Sequence, residues 1–323
     1  MGYGNYSHEA HEAMIQGRSN LPRQEVFKQR QCHPLMNPKG VRARESRDND
    51  QHPNSLGIVF ALDVTGSMGG IPDVLARREL SKFMRVLMEC GVADPQVLFM
   101  AVGDALCDQA PLQVGQFETT GELMDQWLTW SFLEGGGGGN GGESYELAIY
   151  FAAQHTAMDC FEKRKKRGIL ILTGDDLPFP AVSKHQVEAV VGDRLDDDVP
   201  TEAIVAAAQK TFDPFFLIPD QQRRAQSEPR WRQLLGDHVI CMESPDDTCY
   251  VAAGLVALRE GVVANLDALA AVLSASGADP SRIGATIRAL TPYAATLGCD
   301  GAASPHLSGG TLPNGGGSSG MQR

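Results

Sequence analysis

Uninterrupted apolar runs constrain the fold of this chain more than any other feature. The first, Leu-Gly-Ile-Val-Phe-Ala-Leu, begins at Leu56 and is followed directly by Asp63. Apolar runs of this length are typical of strands that are covered on both faces, as in parallel sheets. Further runs predict more such strands, at Gln96–Val102, Gly168–Thr173, Phe215–Ile218 and Val239–Met242.

Helical patterns alternate with these strands. Pro72 marks a helix start, and apolar residues then recur at helical spacing until about Gly91. Other helices are predicted near 122–127, 181–192, 200–210, 222–235, 246–259, 264–275 and 280–291, and other strands at 112–117 and 130–133. Repeated alternation of strand and helix predicts an α/β fold with a doubly wound, mainly parallel sheet flanked by helices.

Composition divides the chain into four parts. Residues 1–55 are polar, with eight Lys and Arg against six Asp and Glu, and form a predicted N-terminal extension. Residues 56–260 form the predicted main domain, 261–300 a helical appendage, and 301–323 a Gly/Ser-rich disordered tail. The extension is either a loosely ordered arm or an arm that binds a partner or covers the sheet.

The overall charge and the cysteines exclude several classes of function. The net charge is −12, which argues against a nucleic-acid partner. No signal peptide and no apolar run long enough to span a membrane is present, so we expect a cytoplasmic protein. The seven cysteines are an odd number with no C-x-x-C pair, which indicates neither a disulfide framework nor a zinc site.

Three polar loops follow predicted strand ends or lie between a strand and a helix. They are Asp63-Val64-Thr65-Gly66-Ser67, Asn140–Ser144 after a glycine run, and Gly174-Asp175-Asp176. In an open α/β sheet, such loops gather at the topological switch point, where ligands bind. Their side chains offer only oxygen ligands, which hard cations such as Mg²⁺ prefer. The sequence therefore predicts a divalent-cation site.

The first loop, Asp63-Val64-Thr65-Gly66-Ser67, resembles the D-x-[ST]-x-S motif of von Willebrand factor A (VWA) domains. Members of that family hold Mg²⁺ in a metal-ion-dependent adhesion site and bind protein partners there. The resemblance, over about 56–260, implies that Thr65 and Ser67 coordinate through hydroxyls, and Asp63 and Asp175 directly or through water. Mn²⁺ or Ca²⁺ would be alternative ions. It also implies a bacterial adaptor without enzymatic activity, associated with a MoxR-type AAA+ ATPase.

The second loop departs from the commoner family pattern. Many members have a threonine in a Gly-Gly-Thr loop, whereas this chain has Gly-Gly-Asn-Gly-Gly-Glu-Ser. Either Glu143 or Asn140 must then take the remaining ligand position. A carboxylate at Glu143 would strengthen cation binding and weaken the attraction of the ion for an acidic partner. Glu143 could instead lie in the first turn of the next helix, where the helix dipole favours an acid.

An enzymatic interpretation is the main alternative. Asp63 after a buried strand also resembles the nucleophile of haloacid-dehalogenase-like phosphatases. Those enzymes have a second Asp two residues later as general acid, where this chain has Thr65, and no lysine stands out in the central loops. The basic cluster Lys163–Arg167 is either a solvated helix end, favoured by the helix dipole, or a nucleic-acid contact.

Overall fold

A computed structural model describes residues 4–68, 70–74, 79–135, 141–219 and 221–298, without the side chains of Ser67 and Pro72. Asn140 and the predicted tail 301–323 lie outside the described residues. The strands are β1 Arg44–Ser46, β2 Leu56–Asp63, β3 Pro95–Val102, β4 Leu112–Val114, β5 Thr156–Met158, β6 Gly168–Thr173, β7 Ala181–Val182, β8 Val199–Pro200, β9 Phe212–Ile218 and β10 Val239–Cys241.

The helices in these ranges alternate with the main strands from β2 onward. They are α1 His8–Arg18, α2 Arg23–Val26, α3 Ile71–Val74, α4 Leu80–Glu89, α5 Gly121–Thr129, α6 Tyr145–Gln154, α7 Asp159–Glu162, α8 Lys184–Val190, α9 Thr201–Ala208, α10 Gln221–Leu235, α11 Thr248–Glu260, α12 Leu266–Ala275 and α13 Pro280–Thr296. None of the described helices is both long and apolar enough to cross a membrane.

The central sheet has six strands in the order β10-β9-β6-β2-β3-β4. Its strands run parallel except for β4, which pairs with β3 antiparallel at the edge. The predicted doubly wound, mainly parallel α/β fold is therefore confirmed. The chain moves outward from β2 through β3 to β4, then returns to β6 on the other side of β2. The switch point, where ligands bind in such sheets, thus lies between the carboxyl ends of β2 and β6.

Helices bury both faces of the sheet. Along β2, Ile58, Phe60 and Leu62 enter one core cluster with α4, α11 and α13, whereas Val59 and Ala61 enter a second cluster with α6, α9 and α10. Alternate residues of a strand point to opposite faces, so an unbroken apolar run is what this double burial requires. Residues of α12 and α13 belong to the first of these clusters.

The N-terminal residues pack along the main domain. β1 pairs in parallel with β5, and Arg18 of α1 forms an ion pair with buried Asp125 of α5. Tyr6 donates a hydrogen bond to the backbone oxygen of Ser81 in α4 at 3.1 Å. These contacts fix the described part of the extension against β5 and against the helices α4 and α5.

The predicted strand at 130–133 is wrong. These residues follow α5 as an irregular segment, because the side chain of Gln113 takes the place of a neighbouring strand. Its amide donates to the backbone oxygen of Phe132 at 2.9 Å and accepts from the backbone N–H of the same residue at 2.9 Å. A fully buried glutamine thus satisfies backbone groups that a sheet ladder would otherwise pair.

Candidate metal centre

The loop after β2 is organised by the carboxylate of Asp63. One of its oxygens accepts hydrogen bonds from the backbone N–H of Thr65 at 2.9 Å and from the Thr65 hydroxyl at 2.6 Å. An Asp that binds the backbone two residues ahead forms a local turn, which is why the chain leaves the strand here. A single 3₁₀ turn, Gly66–Met68, follows. Asp63 and Thr65 are both buried at the switch point. The side chain of Ser67 is not among the parts of the chain that the structure describes.

The loop after β6 brings two further acids to the same edge. Asp175 is 1% exposed and Asp176 is 7% exposed. The indole N–H of Trp231, in α10, donates to the backbone oxygen of Asp176 at 3.0 Å and fixes this loop to the helix. The guanidinium of Arg223 lies 3.4 Å from a carboxylate oxygen of Asp175.

Glu143 enters the site from the loop before α6. Its backbone N–H donates to the oxygen of Leu177 at 2.9 Å, and its side chain is 4% exposed. Ser144 is the N-cap of α6 and the acid in the first turn is Glu146, so Glu143 precedes the helix. The placement of Glu143 in the first turn of that helix is therefore wrong. One of its carboxylate oxygens, Oε2, is buried with no hydrogen-bond partner among the described residues.

The glycines of this loop are described only at its two ends. Gly142 would place a side-chain carbon 3.2 Å from the backbone oxygen of Leu177, so the chain passes closer than a larger residue allows. Gly135 and Gly141 adopt positive φ angles of 68° and 78°. Gly142 is thus required by close backbone approach, whereas Gly135 and Gly141, with open space around them, are favoured by their left-handed backbone conformation.

A third strand end contributes an acid that the sequence interpretation missed. Asp104 follows β3 after one glycine and is fully buried. It accepts from the backbone N–H of Leu106 at 2.8 Å, and its own N–H donates to Asp108 at 2.8 Å. The Ser144 hydroxyl accepts from the N–H of Ala105 at 2.9 Å and ties this turn to the Glu143 loop. The signal in the sequence was an acid one residue after an apolar run, as at Asp175.

Tyr145 is a second residue that the sequence interpretation missed. Its hydroxyl donates to the other carboxylate oxygen of Asp63 at 2.5 Å, and its ring is fully buried against Phe216 and Trp231. The ring also lies directly against the backbone of Gly174, where any side-chain carbon would meet the tyrosine. Tyr145 therefore fixes the orientation of Asp63.

The electrostatics of these acids differ from those of ordinary surface carboxylates. Burial, followed by repulsion from Asp63 and Asp104, raises the pKa of Glu143 to about 9. Burial raises the pKa of Asp63 to about 7, with a further contribution from Asp175, although Thr65 and Tyr145 donate hydrogen bonds to it. The carboxylates at this edge are thus close enough to repel one another.

The residues present suit a hard cation by their chemistry. The buried donors are carboxylate and hydroxyl oxygens, and the unpartnered oxygen of Glu143 is one that a cation could satisfy. Within the described residues, no three His, Cys, Asp or Glu side chains form a group that could hold a metal ion by themselves. A cation here would therefore also need the Thr65 hydroxyl and water, as Mg²⁺ usually does.

A cavity of about 550 Å³ opens beside Asp175. Met68, Ile71 and Val74 form one wall, and Pro219 and Pro245 lie on the other side. The edge of the sheet therefore places Asp175 next to a depression that also has the polar side chains of Gln221, Gln222 and Glu243 in its lining.

No protein-family model matches the sequence. No curated protein matches it either. Among solved structures, similarity is found to the pilus adhesin SpaC from Lactobacillus rhamnosus GG, with 11% identity and a TM-score of 0.46. That match covers 66% of this chain, which spans only 31% of the SpaC chain.

Two other structures have similar scores. A von Willebrand factor type A protein from Catenulispora acidiphila has 12% identity and a TM-score of 0.40, covering 64% of this chain and 43% of its own. The vWF domain of the pilus tip protein Mfa5 from Porphyromonas gingivalis has 8% identity and a TM-score of 0.39. That match covers 64% of this chain and 95% of the Mfa5 chain. These values assign neither a family nor a ligand to this chain.

Proposed function

We propose that this protein is a protein-interaction module of the VWA type that holds a divalent cation, Mg²⁺ or in its place Mn²⁺ or Ca²⁺, at the carboxyl edge of its sheet. Asp63, Thr65, Asp175 and Glu143 would hold the ion, with Ser67 and Asn140 as further candidates. When bound, the ion would supply an electrophilic centre for an oxygen ligand of the partner. The protein itself would bind rather than catalyse.

One observation carries the proposal. Three buried acids from separate segments lie at the carboxyl edge: Asp175 raises the pKa of Asp63, and Asp63 raises that of Glu143, whose Oε2 has no partner among the described residues. Buried like charges are costly unless a cation or protons neutralise them. The motif Asp63-Val64-Thr65-Gly66-Ser67 at this place, and the cavity beside Asp175, support a partner-binding cation site over a purely structural cluster.

The partner proposed from the family resemblance is an AAA+ ATPase of the MoxR type, and the proposed location is the cytoplasm. The net charge of −12 supports a protein partner over nucleic acid. The phosphatase alternative has weaker support. Both oxygens of the Asp63 carboxylate accept hydrogen bonds, and Thr65 stands where the general acid would be needed.

Thermal unfolding with and without Mg²⁺ tests cation binding. Mg²⁺ at 100 times its Kd should stabilise the folded state by about 2.7 kcal/mol, and Asp63→Ala should abolish the shift. Asp125→Asn is the matched control, because Asp125 is also buried but pairs with Arg18 away from the site. It should lower the melting temperature yet leave the Mg²⁺ shift intact. A shift that persists in Asp63→Ala would contradict the proposal.

Affinity capture in the presence and absence of EDTA tests the partner. The tagged protein should retain an AAA+ ATPase from a lysate in Mg²⁺ and lose it in EDTA, and Asp63→Ala should lose it in both conditions. Capture that is insensitive to EDTA would contradict metal-dependent binding. Phosphomonoester turnover that disappears in Asp63→Asn would favour the phosphatase instead.

A further inference from the structure

Arg223 is the cation nearest to the acids of the β6 loop for which the structure gives a contact. It is the third residue of α10, and its side chain is 41% exposed. Its Nε lies 3.4 Å from Oδ2 of Asp175, and its Nη1 lies 3.5 Å from Oδ2 of Asp176. Charge-assisted hydrogen bonds between guanidinium and carboxylate usually measure about 2.7–2.9 Å. Arg223 is therefore loosely held, although it reaches both acids.

The position of Arg223 is unfavourable for its own helix. A cation in the first turn opposes the helix dipole, which favours acids there, and the first turn of α10 contains no acid. The attraction of Asp175 and Asp176 offsets this cost. Arg224, the next residue, instead pairs with Glu228 one turn later in the same helix at 2.5 Å. Arg223 thus neutralises acids of the β6 loop, whereas Arg224 neutralises an acid of its own helix.

We infer that Arg223 is a tethered counter-cation of the metal centre, which holds Asp175 and Asp176 in the metal-free protein and is displaced when a divalent ion binds. This inference rests on the proposed cation site and adds a means of regulating it. The ion and the guanidinium need the same carboxylate of Asp175. Because they share it, the ion weakens the contact of Arg223, and Arg223 weakens the binding of the ion by the same factor.

The charges at the site support this competition. Asp63, Glu143 and Asp175 bring three negative charges if all are ionised, and Asp176 adds a fourth, against the two positive charges of the ion. A fixed positive charge at Arg223 lowers the attraction of this cluster for a second cation. Removing that charge should increase the affinity for Mg²⁺, whereas removing a residue that merely orients Asp175 should decrease it. An increase in Mg²⁺ affinity thus indicates a competing counter-cation, and a decrease indicates a residue that positions Asp175.

Titration calorimetry with Mg²⁺ alone tests the inference. Arg223→Gln should bind Mg²⁺ more tightly, by up to about fivefold, which is the size expected for one exposed charge pair. Arg223→Lys keeps the charge and should lie closer to wild type than Arg223→Gln does. Arg224→Gln is the matched control, because it removes a neighbouring exposed charge that is paired elsewhere. The affinity of Arg224→Gln for Mg²⁺ should stay within about twofold of that of the wild type.

A second readout follows the arginine itself. In the nuclear magnetic resonance spectrum, the Nε–H signal of Arg223, assigned by its loss in Arg223→Gln, should move on addition of Mg²⁺, while that of Arg224 should not. An unmoved Arg223 signal, or a variant Arg223→Gln that binds Mg²⁺ no more tightly than wild type, would overturn the inference and leave the cation site standing. Wild-type protein that binds no Mg²⁺ would overturn both.

Discussion

The two edges of the central sheet carry their charges in opposite ways. At the amino edge, where β6 and β9 begin, acids are paired with basic residues. Asp213 accepts hydrogen bonds from both Nε and Nη2 of Arg259, at 2.8 and 2.6 Å, and Asp48 pairs with Arg164 at 2.7 Å. At the carboxyl edge, Asp63 and Glu143 have acids as their electrostatic neighbours. The same fold thus has one neutralised edge and one that attracts cations.

The difference explains the basic cluster Lys163–Arg167. Four of its five side chains pair with acids at or near the amino edge: Lys163 with Asp159, Arg164 with Asp48, Lys166 with Glu260, and Arg167 with Asp213. These contacts favour a structural role for the cluster over nucleic-acid binding. In parallel sheets of this kind, ligands bind at the carboxyl ends of the strands, so the edge whose acids are less completely neutralised is the one available for function.

The largest effect is expected from breaking the paired edge. Arg259→Met removes the guanidinium that neutralises Asp213, which is only 6% exposed, and leaves a buried acid with less compensation. Removing one partner of a buried pair costs about 3–5 kcal/mol, and partial compensation by Arg167 places this variant near the lower end. Urea denaturation should show this loss, with an unchanged Mg²⁺ response. A variant as stable as wild type would contradict the comparison.

A second substitution disturbs the carboxyl edge by its packing. Gly174→Ala places a methyl group against the Tyr145 ring, which must move and take its hydroxyl from Asp63. Overpacking of this kind costs about 1–3 kcal/mol. The melting temperature should fall and the Mg²⁺ shift should shrink together. Gly17→Ala, in α1 with open space around it, is the control: it should not lower the melting temperature and should leave the Mg²⁺ shift intact. A full Mg²⁺ shift in Gly174→Ala would show that Tyr145 does not position Asp63.

The smallest effect is a dependence on pH whose sign differs between the edges. Glu146 lies on the carboxyl side, is fully buried and has one unpartnered oxygen among the described residues, and burial raises its pKa to about 8. Because the pKa of this side chain is lower in the unfolded chain, the folded state becomes less stable as the pH rises from about 4.5 to 8. Glu146→Gln should therefore gain stability relative to wild type as the pH rises from 5 to 8, and the difference should shrink toward pH 5.

Asp48 at the amino edge is the counterpart. Hydrogen bonds from Arg164 and Ser55 lower its pKa despite partial burial. Its contribution to stability is present above the ordinary pKa of an aspartate, about 4, and is lost as the pH falls through its folded value. Asp48→Asn should be less stable than wild type at pH 7, with a smaller difference below pH 4. The stability of both variants relative to wild type should be measured by denaturation as a function of pH. The same dependence on pH for Glu146→Gln and Asp48→Asn would contradict the difference in electrostatics between the two edges.

The sequence predicted the sheet well because the burial of its central strands is encoded locally. The predicted strand 168–173 has the same bounds in the structure, and the first strand ends at Asp63 as predicted. The pairing of β1 with β5 was missed, since it joins short segments more than 100 residues apart. The helix predicted at 280–291 continues through Pro292 to Thr296, because Tyr293 and Ala294 are buried in the core. Tertiary packing there overrides the usual effect of proline.

The candidate site was predicted in part for the same reason. Asp63, Thr65 and Asp175 follow apolar strands directly, so their edge of the sheet could be inferred. Tyr145 and Arg223 could not, since a tyrosine in an apolar helix and an arginine in a polar one have ordinary structural explanations. Their contacts depend on how α6 and α10 pack beside the loops, which no local pattern in the sequence records.

The central claim is that the carboxyl edge, and not the amino edge, holds the cation. Crystals grown with Mn²⁺ test this most directly by anomalous diffraction at the manganese absorption edge. A single strong peak bounded by Asp63, Thr65, Glu143 and Asp175 is the predicted result, and it should vanish in crystals of Asp63→Ala. Crystals of wild-type protein without a peak at this position, or with manganese bound only among the acids of the amino edge, would contradict the account.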